Sequence, residues 1–438
     1  MPDAQAFFAR PASVLGLALV VAGGAACSGA SDAEESGGAA VAADSADYAF
    51  VGVNVVPMDE EQVVPNQTVL VLGDRIVAIG DAGEVSVPEG AERIDARGQY
   101  LMPGLAEMHA HIPSGQAGGA DFAERVLLLY LANGITTIRG MLGAPVHLEL
   151  RAQANRGELL SPRIYTSGPS INGNSIPSAD SARRAVRHQK LAGYDFLKIH
   201  PGLSREAFDA LDEVADSAGI GFAGHVPADV GLERALEAGY LSIDHLDGYA
   251  EALVRDGMDT SEMPPSFFGA NLVDFMDEAR LAPVAAATRE AGVWNVPTQS
   301  LIESILLPED PKEMAARPEM AYMPPEIVAN WVEAKQGFLD NENYSPDVAR
   351  RFVEIRRKLI KALNDAGAGL LLGSDAPQVF QVPGWSMRAE LVSLVAAGLT
   401  PYEALATGTR NVAAYFDELD EWGTLEAGKV ADLLLLDA

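Results

Sequence analysis

From Leu105 onward, short apolar runs recur along the chain, and stretches with helical patterning separate them. The runs occupy residues 105–109, 136–139, 163–167, 196–199, 221–225, 242–245, 294–297 and 369–374. A helix between two strands returns the chain to the same end of the sheet, so such strands pair in parallel. Eight strand–helix units suffice to close a (β/α)8 TIM barrel. Between the strands, Met387, Leu391, Leu394, Val395 and Gly398 fall on one helical face. Thr400-Pro401-Tyr402-Glu403 then offers an N-cap, a proline at the first helical position and a glutamate able to reach back to the cap. The connection over residues 299–368 is long for one barrel loop. It carries helix-like stretches at Pro325–Leu339 and Pro346–Ala366 and is expected to form an inserted lid.

The chain before the barrel reads differently. Residues 49–56 and 68–72 are β-branched runs, and Gly73-Asp74-Arg75 marks a hairpin turn before Ile76-Val77-Ala78-Ile79. Residues 423–438 again read as turn plus strand. The expected organisation is a small discontinuous β-sandwich domain from residues 48–103 and 423–438, around a barrel over 104–422. Ahead of both, residues 13–26 are apolar, too short to span a bilayer and about as long as a signal-peptide core. Small residues precede Cys27, the single cysteine. Residues 1–26 are therefore expected to be a signal peptide, with lipidation of Cys27 as a route to membrane attachment. Residues 27–47, rich in Ser, Gly, Ala and acidic side chains, are expected to be a flexible tether. The expected location is the bacterial cell envelope, periplasmic or lipid-anchored. One cysteine rules out an intrachain disulfide. A formal net charge of −31 argues against nucleic acid as a partner and leaves a small-molecule substrate as the expectation.

Polar residues stand where the apolar runs end. His109 and His111 are two apart on the first strand, so alternation puts both on one face. Lys198 lies between apolar neighbours on the fourth run, His225 ends the fifth and His245 the sixth, and Asp375 follows the eighth. The C-terminal strand ends of a barrel are where its chemistry sits. Imidazole and carboxylate suit zinc and similar ions. Burial disfavours the charge on Lys198, and carbamylation by CO2 would convert it into an anion able to bridge two metals. Taken singly, each of these residues reads as well as a hydrogen-bonded core histidine, a paired lysine or a turn aspartate. Their joint placement at strand ends favours a metal site.

This set resembles the binuclear amidohydrolase superfamily, in its imidazolonepropionase-like and Xaa-Pro dipeptidase (prolidase)-like branch. Residues 101–111 (LMPGLAEMHAH), 132–139 (ANGITTIR), 373–375 (GSD) and 398–405 (GLTPYEAL) carry the likeness. The resemblance implies two divalent metal ions, Zn2+ foremost. His109 and His111 would bind the first and His225 and His245 the second, with a CO2-derived carbamate on Lys198 as the bridge. Asp375 would bind metal and move protons. The implied reaction is attack of a metal-bridging hydroxide on a C–N bond of a dipeptide or N-acyl amino acid. The alternatives are opening of a cyclic amide, deamination, or an inactive metal-binding scaffold. Ala228, where mononuclear deaminases of this superfamily tend to carry glutamate, and the presence of Lys198 both count against deamination. The chain departs from these relatives in three loops: Gly140 follows Arg139, residues 170–175 read SINGNS, and Lys198 is followed within two positions by His200-Pro201-Gly202. Arg139, His200 and Tyr249 are the candidate substrate contacts. Relatives usually continue with further strands beyond the position of Asp437.

Overall fold

A computed structural model describes residues 43–115, 118, 121–258, 260, 263 and 266–437. The expected signal segment, Cys27 and the tether up to residue 42 lie outside the described residues. The chain divides into two compact units.

Among the described residues, one unit comprises 43–105, Gln153–Leu159 and 409–437. Its strands are β1 (Tyr48–Val55), β2 (Val64–Leu72), β3 (Arg75–Asp81), β4 (Glu92–Asp95) and β5 (Tyr100–Pro103). The C-terminal strand, Leu433–Leu436, pairs antiparallel with β5. Together they form a six-stranded sheet in which β1 lies between β5 and β2, and β4 also pairs with β1. The β2–β3 hairpin turns at Gly73-Asp74, and Gly73 adopts the left-handed conformation (φ 60°) that a tight hairpin turn requires. Phe50, Val53, Val69, Val71, Ile76 and Leu101 form a core packed by the alternate, inward-facing residues of these strands.

The other unit comprises Ala106–Ala152 and Leu160–Gly408. Its strands are β6 (Leu105–Ala110), β7 (Ile135–Gly140), β8 (Arg163–Thr166), β9 (Leu197–Ile199), β10 (Phe222–Gly224), β11 (Ser242–Asp244) and β12 (Trp294–Val296). They form a β6-β7-β8 sheet and a β9-β10-β11-β12 sheet, and the registered pairs in both are parallel. Parallel single bridges, Ser167 to Phe196 and Ile171 to Ile199, join the two sheets. The expected eighth strand is not a full ladder. Residues 369–376 nonetheless bond to both sides: Asn295 N donates to Gly369 O (2.9 Å), Met108 N to Leu372 O (2.8 Å) and His111 N to Ala376 O (2.8 Å). Gly373 is required at this junction, because a Cβ there would stand 2.4 Å from the Val296 side chain and 3.0 Å from His109 N.

The helices expected at Pro325–Leu339 and Pro346–Ala366 form with those bounds, and the Thr400–Glu403 capping box closes in both directions. Pro346–Ala366 is a core element, in contrast to the lid expected from its sequence. Phe352, Val353, Leu359, Ile360 and Leu363 are buried, and Arg356 is buried with them. No helix among the described residues is long and apolar enough to cross a membrane.

Candidate metal centre

Strand β6 is buried along its whole length, and its end delivers His109 and His111 to one point. Asp375 reaches the same point from the loop after Leu372. The nitrogen and oxygen ligand atoms of His109, His111 and Asp375 lie within 4.8 Å of one another. His111 Nε2 is 2.6 Å and His109 Nε2 3.6 Å from Asp375 Oδ1. His245 joins from β11: its ring centroid is 4.5 Å from that of His109, and its Nδ1 is 3.9 Å from Asp375 Oδ2. The His225 ring follows at 4.7 Å from His245. Two of these residues need unusual backbone. His245 (φ 61°) and Asp375 (φ 64°) both lie in the left-handed region, which turns the side chain just past a strand end back toward the centre.

Lys198 is fully buried on β9, and its Nζ is 3.4 Å from Asp244 Oδ2. The same oxygen is 3.1 Å from His109 Nδ1. Asp244 Oδ1 accepts from Ser242 Oγ (2.9 Å) and from Arg139 (3.2 Å). Burial pushes the Asp244 carboxyl up, but Arg139 and Lys198 outweigh it and hold it below the ordinary carboxylate range. Burial draws the Lys198 ammonium down, against the opposing pull of Asp244 and Asp375. Burial also holds His109 and His245 well below the usual imidazole range. Both rings are therefore neutral and offer lone pairs.

The remaining ring nitrogens are oriented by partners. Asp247 Oδ2 lies 3.0 Å from His225 Nδ1 and accepts from Val226 N (3.2 Å). Thr298 Oγ1 lies 2.8 Å from His245 Nδ1. Such outer contacts fix the tautomer and tilt of a ligating histidine. Among the described residues, His109 Nδ1 and Asp375 Oδ1 are buried and make no well-aligned hydrogen bond, although Asp244 Oδ2 (3.1 Å) and His111 Nε2 (2.6 Å) lie beside them. Two imidazole nitrogens and a carboxylate oxygen gathered this closely are a donor set that a cation would satisfy. The donor set thus fits a divalent metal.

The three candidate substrate contacts separate. Arg139 has no exposed surface; it donates to Met108 O (2.8 Å), Ser242 Oγ and Asp244, behind the histidines. Tyr249 is equally buried, and its hydroxyl bonds to Thr288 and Asn295 at 2.9 Å each. Both side chains are bound into the interior rather than presented to a ligand. His200 is half-buried, with its ring 5.1 Å from His225, and burial lowers its pKa to about 3. Sequence reasoning missed Asp244 and Glu107. Glu107 accepts from His109 N (2.8 Å) and Ser374 N (2.9 Å), tying β6 to the residue before Asp375. An acid inside an apolar strand was the available signal for Glu107, the same signal that exposed Lys198.

A parallel α/β unit with imidazoles and a carboxylate gathered at its strand ends defines an α/β protein with a candidate metal site. The profile of the amidohydrolase family matches residues 100–438, and the chain belongs to that family. It is 25% identical to the imidazolonepropionase of Rubrobacter xylanophilus over 87% of both chains. It is 27% identical to adenine deaminase 3 of Rhizobium meliloti, over 45% of this chain and 36% of that protein. The chain thus spans little more than a third of the length of that deaminase. Among solved structures, a prolidase described as putative from Bifidobacterium longum superposes with a TM-score of 0.67 at 24% identity, over 89% of this chain and 88% of that one. A Xaa-Pro dipeptidase with bound methionine gives 0.63 at 21% identity, over 89% and 94%.

Proposed function

We propose that this chain is a metal-dependent hydrolase of a carbon–nitrogen amide bond, in a dipeptide or an N-acyl amino acid. The observation that carries the reading is the convergence of the His109, His111 and Asp375 ligand atoms within 4.8 Å of one another. The likeness to an imidazolonepropionase over most of both chains keeps cyclic amides within the substrate range to be tested. In this reading, residues 369–376 bridge β12 and β6 to close a (β/α)8 barrel, and the backbone bonds on both sides of that segment support closure. His225 and His245 would hold a second divalent metal, zinc by ligand type. Lys198 would carry a carbamate once metal is bound. Its burial supports this, because the neutral amine is the form that reacts with CO2. Export to the cell envelope, expected from residues 13–27, belongs to the same proposal and is checked by cell fractionation.

Bound metal would supply a water acidified to near neutral pH and a Lewis acid for the carbonyl. The chain's own residues do the rest. His109 and His245, kept neutral by burial, hold their lone pairs toward the centre. Asp244, ionised and anchored by Arg139, supplies negative charge behind His109. Asp375 takes the proton of the attacking water and returns it to the departing nitrogen, which leaves poorly unless protonated.

The test is elemental analysis of protein purified without chelator, followed by hydrolysis assays on Xaa-Pro dipeptides, N-acyl amino acids, cyclic amides and adenine. About two metals per chain and turnover of a linear amide are expected. Lys198→Ala should lose metal and activity, and a short carboxylic acid in the buffer should restore part of both. A chain that binds one metal or none after reloading, or that turns over only adenine, would sink the proposal.

A further inference from the structure

Two of the loops that depart from the family pattern, residues 170–175 and 200–202, form one piece of structure. Ile171 N donates to Lys198 O (2.9 Å), and His200 N donates to Ile171 O (2.8 Å). The chain after β8 thereby extends the parallel pairing along the chain after β9. A Cβ at Gly173 would stand 2.1 Å from Gly202 O, so this close approach of the two loops requires glycine at 173. Asn172 Oδ1 accepts from Asn174 N (2.9 Å) and Ser175 N (3.0 Å), which fixes the orientation of the amide. Its Nδ2 then donates to Ser170 Oγ (2.9 Å). Ser170 Oγ also lies 2.8 Å from His200 Nδ1. Asn172 Nδ2 occupies one lone pair of the serine oxygen, and this favours the arrangement in which the hydroxyl donates to His200 Nδ1. With Nδ1 accepting, the imidazole proton sits on Nε2. Nε2 has no hydrogen-bond partner among the described residues. The ring lies beside His225, at the edge of the metal-site histidines.

We propose that His200 donates through Nε2–H to the substrate carbonyl oxygen as it becomes an oxyanion, and that Ser170 and Asn172 are positioning residues that set its tautomer. The proposal rests on the amide-hydrolase reading. The water oxygen bonds to the carbonyl carbon, and the C=O π pair moves to oxygen, where the His200 N–H stabilises the charge without giving up its proton. The pair then returns to re-form C=O, the C–N bond breaks, and the nitrogen leaves with the proton carried by Asp375. A donor fixed in place before charge develops costs no reorganisation, and loss of one such donor lowers kcat about 10²- to 10³-fold.

Two measurements on the metal-loaded enzyme test this. Long-range ¹H–¹⁵N spectra of histidine-labelled protein report the tautomer, with His200 assigned by its disappearance in His200→Gln. The Nε2-protonated form is expected in the wild type, a mixture in Ser170→Ala, and recovery in Ser170→Thr. With the best linear amide of the assay set, His200→Phe should lose about 10²- to 10³-fold in kcat, with KM little changed and metal content intact. His200→Gln, which keeps an N–H, should recover part of the loss. An Nδ1-protonated ring in the wild type overturns the proposal. So does wild-type kcat in His200→Phe, a loss confined to KM, or loss of metal. A wild type inert on every amide removes the hydrolase reading and this role with it, whereas an active wild type with an indifferent His200→Phe removes this role alone.

Discussion

Asp244 joins His109 and Lys198 to Arg139 behind the centre. It faces His109 and Lys198 with one oxygen and Arg139 and Ser242 with the other, entirely out of solvent. Removing one partner of a buried pair leaves the other charge uncompensated, at a cost of about 3–5 kcal/mol. Arg139→Met should therefore lower the urea midpoint and the metal content together, and a change confined to KM would contradict this placement. Asp375→Asn keeps the shape of the side chain but cannot carry a proton. It should reduce kcat about 10²- to 10⁴-fold while losing less metal than His109→Ala; near-full kcat with metal bound would remove the proton-carrying role. His109 and His111 were legible because strand alternation alone puts them on one face. Asp244 was not, because an aspartate beside a histidine on a strand should face the opposite way. The positive φ of His245 brings both inward, and side-chain pattern does not encode that turn.

At the level of elements, the long connection after β12 shows how a helix can be recognised and its place misjudged. Pro346–Ala366 has a regular apolar face, so its existence and bounds were readable. Its destination depends on Arg356, which donates to His245 O (2.7 Å), Pro297 O (2.9 Å) and Gln299 Oε1 (3.0 Å). An arginine in mid-helix reads as solvent-facing unless the carbonyls that receive it are known. The helix Gln299–Leu306 is seated by a second buried group. Glu390, from the helix Trp385–Ala396, accepts from Gln299 N (2.8 Å) and Ser300 N (2.6 Å). Burial raises the Glu390 pKa from 4.5 to about 7, despite those bonds. Between those two values the folded state holds a proton that the unfolded chain has lost. This group's contribution is full below pH 4.5 and is lost as pH rises through 7. Urea unfolding across that window should show the wild type losing about 3 kcal/mol more than Glu390→Gln; parallel curves for the two proteins would refute this.

For the molecule as a whole, the alternation of apolar runs with helices was sufficient to read the parallel α/β class and seven of the strands. The eighth was less legible because its hydrogen bonds go to two different neighbours in short stretches. The backbone turns at His245 (φ 61°), Thr298 (φ 46°) and Asp375 (φ 64°) carry a consequence for how such a molecule changes over generations. Each site would be most comfortable with glycine, the residue without chemistry, because the left-handed conformation costs other residues about 1–2 kcal/mol. In metal-free protein, Asp375→Gly should melt above Asp375→Ala, and the same order should hold for His245; the reverse order would show that the backbone there is unstrained. If the proposed hydrolase reading holds, robustness and reactivity are set against each other at His245 and Asp375. Random drift that favours a sturdier fold leads toward a silent copy, and only selection for turnover holds this backbone in the shape that works.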